Sequence, residues 1–133
     1  MKHFLVAASL ALICIGVLPS CKKDKTPPPV DLSNTSWNGS GTVSTIAVMM
    51  NVTLNSNGTI TGAVVTSGNF AITGTWNKSP SSNVVNMSFS IVSVPGTYTA
   101  QATLNGSSDK LENGVGTNST NATYNMVFSL AKN

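Results

Sequence analysis

Ile46-Ala47-Val48-Met49-Met50-Asn51-Val52-Thr53-Leu54-Asn55-Ser56-Asn57-Gly58-Thr59-Ile60-Thr61-Gly62 is the stretch that decides the fold. Ile46, Val48, Met50, Val52 and Leu54 occupy alternate positions. Period-two alternation is the mark of a strand with one buried face, since successive side chains point to opposite sides. Asn57-Gly58 then supplies the backbone freedom that a tight hairpin requires. The alternation resumes at Ile60, so the unit is strand, turn, strand.

The same pattern continues downstream. Phe70, Ile72, Gly74 and Trp76 share a face, as do Val85, Met87, Phe89 and Ile91. Tyr98, Ala100, Ala102 and Leu104 follow, then Ala122, Tyr124, Met126, Phe128 and Leu130. The opposite faces are mostly Thr, Ser and Asn. Turn signals separate the runs: Ser67-Gly68, a polar loop around Pro80, Pro95-Gly96 with type II chemistry, Asn105-Gly106 and Asn118 to Asn121. The spacing predicts eight strands, at 35–43, 45–55, 58–66, 69–76, 84–92, 97–104, 110–116 and 122–131. Short turns between neighbours imply an all-β antiparallel up-and-down barrel, with a two-sheet sandwich as the alternative. Closure favours the barrel, because it removes exposed edges from a strand-rich domain with few charges.

Upstream of the domain the character changes. Lys2 and His3 precede an apolar run of about fourteen residues, Phe4 to Val17. A spanning helix needs roughly twenty such residues, whereas a signal peptide core needs fewer. Leu18-Pro19-Ser20-Cys21 ends the run and resembles a bacterial lipobox. The resemblance implies a signal peptide over 1–20 and a lipid-bearing Cys21. Several acyl chains give a stable anchor where one is marginal. Residues 21–32 then form a tether: Lys22-Lys23-Asp24-Lys25 and the extended Pro27-Pro28-Pro29 spacer. The domain occupies 33–133. Lys22, in place of an aspartate, points to the outer membrane, on its periplasmic or cell-surface face.

With Cys14 in the signal and Cys21 acylated, neither cysteine is available for a disulfide. The formal charge of +3 belongs mainly to the signal and tether. In the domain Lys78, Lys110 and Lys132 face Asp31, Asp109 and Glu112, and arginine is absent from the sequence. Nucleic-acid binding needs a basic face to neutralise phosphates, which this chain lacks. The single histidine, His3, leaves with the signal, so a Ser-His-Asp triad or a His/Cys zinc site is not expected. Asp109 and Glu112 read as a solvated turn rather than an acid/base pair. The expectation is a protein that is not an enzyme and uses no cofactor or metal.

Leu32 and Trp37, together with the hairpin from Leu54 to Gly62, resemble the lipocalin-like (calycin-type) domains of Bacteroidota outer-membrane lipoproteins. Ile60-Thr61-Gly62 and Gly74-Thr75-Trp76 are also similar to phrases of avidin-type barrels. The resemblance implies a barrel that binds or carries a small apolar ligand. The alternative is a barrel filled by its own side chains and serving as a non-catalytic surface interaction or assembly module. Trp37, Phe70, Trp76, Tyr98 and Tyr124 are the candidate pocket residues, aromatic and inward-pointing. The membrane, through the N-terminal lipid, and a small hydrophobic ligand are the expected partners. The sequence assigns no protein partner.

Overall fold

The computed structural model describes residues 28–66 and 68–133. The expected signal peptide, Cys21 and most of the expected tether lie outside the described residues. Eight strands are present: β1 (Thr35–Val43), β2 (Ile46–Leu54), β3 (Thr59–Val64), β4 (Phe70–Lys78), β5 (Val84–Ile91), β6 (Tyr98–Leu104), β7 (Lys110–Asn118) and β8 (Met126–Lys132). Each pairs antiparallel with the next, and β8 returns to β1 through pairs such as Gly41 with Phe128. The result is a closed up-and-down barrel rather than a sandwich.

The alternation seen in the sequence is the alternation of burial. Tyr98, Ala100, Ala102 and Leu104 are buried along β6, while Thr99, Gln101 and Thr103 are exposed. The hairpin between β2 and β3 is wider than a two-residue turn. Gly58 N–H donates to the Asn55 carbonyl and Asn55 N–H to the Thr59 carbonyl. Gly58 sits at φ 78°, the left-handed position that comes after a type I turn in this class of hairpin.

One sequence expectation changes. Ala122 and Tyr124 are not on the last strand: they belong to a 3₁₀ turn, Ala122–Tyr124, and β8 begins at Met126. The Asn121 side chain accepts from Thr123 N–H and the Asn125 side chain accepts from Asn118 N–H. These amides give the backbone a local alternative to the ladder. Leu32, the last residue of the expected tether, is buried in the core.

β7 shows no clean alternation in sequence, and the structure gives the reason. The register shifts between Leu111 and Gly114 against β8 and between Glu112 and Val115 against β6, around Asn113, which takes φ 52°. Such a bulge adds one residue and reverses the inward–outward parity of the rest of the strand. Leu111 points inward before it; Gly114, Gly116 and Asn118 point inward after it.

Because every connection reverses direction, the loops sort onto two ends. Those at 44–45, 65–69, 92–97 and 119–125 share one end. Those at 55–58, 79–83 and 105–109 share the other, where the chain also enters β1 and leaves β8. The second end is filled by large side chains: Leu32, Trp37, Leu54, Ile60, Leu104, Leu111 and Leu130 are all essentially inaccessible. Burying a Leu or Ile side chain contributes about 1.5–3 kcal/mol each, so this plug anchors the fold.

Candidate functional site

The first end is open. A cavity of about 350 Å³ lies between its loops. Its deeper wall is Val48, Val64 and Ile91, all buried, with Val43, Phe70 and Val94 half-buried above them. Ile46 stands at the rim with 64% of its surface exposed. The polar contribution is small: Ser44 and Thr66, both exposed, and the half-buried Tyr124.

One half of the mouth is fastened by hydrogen bonds. Asn118 Nδ2 donates to the Pro95 carbonyl at 2.9 Å, while its Oδ1 accepts from Thr120 N–H and Asn121 N–H. Thr97 N–H donates to Ser119 Oγ, and Ser119 N–H to the Thr97 carbonyl. The loops at 92–97 and 119–125 are therefore tied to each other. Ser44 N–H, donating to the Asn125 carbonyl, joins the β1–β2 turn to them. This network holds Val94 and Tyr124 against the cavity from one side. Phe70 faces them from the start of β4.

The structure divides the five aromatic candidates. Phe70 and Tyr124 line the cavity. Trp37 and Trp76 belong to the plugged end. Trp37 is 0% exposed, and its Nε1–H donates to Thr35 Oγ1, which in turn donates to the Leu32 carbonyl. Trp76 Nε1–H donates to the Asn55 carbonyl of the β2–β3 hairpin. Both indoles are thus satisfied by groups at the plugged end, away from the mouth. Tyr98 is near the mouth but fully buried behind the wall, stacked on Phe89 with ring centroids 5.3 Å apart. Its hydroxyl has no hydrogen-bond partner. Burial pushes the phenol above its ordinary value.

The aliphatic lining was not legible as a site. Val43, Val48, Val64 and Ile91 read in sequence as ordinary strand residues, and Val94 as part of the turn before Pro95. A signal existed in the hairpin order: each lies within or within three residues of a connection that reaches the open end. The plugged end carries Leu and Trp at the corresponding places, whereas the open end carries mainly Val.

A second, shallower concavity of about 220 Å³ lies on the outer wall of β4, β5 and β6. Its amides bond to each other: Gln101 Nε2 donates to Asn86 Oδ1, and Asn86 Nδ2 to Asn77 Oδ1. Asp109 and Glu112 lie at the plugged end, where Asn105 Nδ2 donates to Asp109 Oδ1 at 2.7 Å. Among the described residues, no three His, Cys, Asp or Glu side chains gather closely enough to hold a metal ion. The chain matches no known family model and no curated protein sequence.

Proposed function

We propose that this chain is a lipid-anchored, non-catalytic lipoprotein of the outer membrane whose barrel binds a small apolar ligand in its open end. The observation that carries the reading is the cavity of about 350 Å³ with its aliphatic wall. Ligand sites are concave and mostly apolar with a few polar groups, and this one has that balance. A benzene-sized guest occupies an apolar cavity of about 150 Å³, so the volume suits a molecule of roughly twice that size.

The anchor reading rests on Leu18-Pro19-Ser20-Cys21 and on the tether after it. It agrees with the direction of the chain, which enters the barrel at the plugged end. A lipid at Cys21 then leaves the mouth as the end farthest along the barrel from the point of attachment.

The test is mass spectrometry of the full chain, gently extracted from membranes, beside a Val94→Trp variant that fills the mouth. The expected result is an apolar adduct on the unmodified chain that the variant lacks. No adduct on either, together with no thermal stabilisation by decan-1-ol, would remove the reading. The alternative role, a surface interaction module, draws on the exposed apolar residues Val115 and Val127, which pair across β7 and β8 on the outer wall. Crosslinking in intact cells tests it, and failure to recover a consistent protein partner counts against it.

A further inference from the structure

The charges of this domain are segregated. Asp31 precedes β1, Lys78 ends β4, Asp109, Lys110 and Glu112 surround the start of β7, and Lys132 ends β8. Every one is at the plugged end. Among the described residues none stands at the mouth, whose wall and rim consist of aliphatic, aromatic and hydroxyl side chains. Met126 and Lys132 are the two ends of β8, about 20 Å apart at about 3.3 Å per residue.

We infer that the cavity selects uncharged amphiphiles: molecules with an apolar body of about ten to fifteen carbons and one neutral hydrogen-bonding end, a hydroxyl or carbonyl. This deepens the ligand-binding reading above and rests on it. Taking a charged group out of water is costly unless a partner of opposite sign meets it. A carboxylate or ammonium entering this mouth meets none. The placement of the polar groups also orients the guest. Val48, Val64 and Ile91 form the deep wall, while Ser44 and Thr66 are at the surface. The apolar body goes in first, and the neutral end sits beside the half-buried Tyr124, Phe70 and Val94, just inside Thr66 and Ser44, where a charge would lose part of its water and gain no counter-ion.

The experiment compares three ligands of equal chain length on the full chain in nanodiscs: decan-1-ol, decanoate and decylammonium at matched free concentrations. Ligands that bind the folded state raise the melting temperature; tryptophan emission reports it, with the Val94→Trp variant as the baseline. Decan-1-ol is expected to stabilise, and each ion to bind at least about tenfold more weakly. A Thr66→Lys variant places a cation at the rim. It should recover decanoate binding by about tenfold without helping decylammonium, and Thr66→Gln should recover neither. Equal binding of decan-1-ol and decanoate by the unmodified chain overturns the selectivity while leaving the ligand-binding reading standing. A Thr66→Lys variant that folds but leaves decanoate unchanged also overturns it. If none of the three ligands stabilises the protein, the ligand-binding reading falls and takes this inference with it.

Discussion

Gly114→Ala tests whether the β7 bulge exists to admit the Phe128 ring. A Cβ added at Gly114 would lie 2.5 Å from Phe128 Cδ2 and Cε2 and 2.7 Å from Cγ. Carbon atoms rest at about 3.5–4.0 Å, so the ring must retreat by about 1 Å. Phe128 is buried, and β8 ties it to both β1 and β7. Overpacking of this kind costs about 1–3 kcal/mol. For a domain of this size the melting temperature falls by about 4–8 °C per kcal/mol. Urea unfolding followed by tryptophan emission measures the loss, since Trp37 is buried and Trp76 half-buried. The decisive comparison is the same substitution in a Phe128→Leu background. With the ring edge gone, Gly114→Ala should cost almost nothing, or stabilise by about 0.4–1 kcal/mol because alanine restricts the unfolded chain. The coupling between the two sites should then be about 1–3 kcal/mol. An equal loss in both backgrounds would refute the steric account of the bulge.

Leu111→Ala, in the plugged end, should destabilise by about 2–5 kcal/mol in urea titrations, because Leu111 is completely buried; a loss under about 1 kcal/mol would mean that the plug is loosely packed. Tyr98→Phe removes a hydroxyl with no partner, so it should leave stability unchanged or raise it by up to about 1 kcal/mol; a clear loss would reveal a hydrogen bond. The same tyrosine gives a pH signature. Its folded phenol titrates above the ordinary value of 10.0, so the unfolded chain releases that proton first as pH rises. The stability due to its protonated form is therefore complete below about pH 10 and declines above it. Denaturation curves from about pH 9 to 11 should show this component in the unmodified chain and not in Tyr98→Phe. Cys21→Ser should abolish acylation and membrane retention in cell fractionation; a lipidated, membrane-bound variant would contradict the anchor.

The strands were legible because one physical rule governs them all: a barrel wall with a dry inside and a wet outside imposes period two. Val85, Met87, Phe89 and Ile91 alternate for that reason, and Asn57-Gly58 and Pro95-Gly96 mark turns through their backbone preferences. β7 was harder to read because its bulge reverses parity at Asn113, so Leu111 and Gly114 face inward three residues apart. Ala122 and Tyr124 kept a strand-like spacing into a segment that Asn118, Asn121 and Asn125 hold as a 3₁₀ turn. In both places side-chain hydrogen bonds or a local backbone excursion override the pattern, and neither is encoded by hydrophobicity.

The site was legible only in part. Choosing inward aromatics found Phe70 and Tyr124 at the cavity, but the same rule drew in Trp37 and Trp76, which satisfy their indole N–H groups at the opposite end. Period two reports which face of a strand is buried. It does not report which end of the barrel a residue reaches, nor whether that end is full.

By itself, the sequence determined the strand count, the inward face of most strands and the scarcity of reactive side chains, because each is a local property of composition or period. Closure, the parity reversal in β7 and the contrast between a plugged end and an open one were decided by the tertiary structure. Each depends on residues far apart in the chain meeting across the barrel. Leu32 and Leu130 fill one end together, and Val48, Val64 and Ile91 leave the other unfilled.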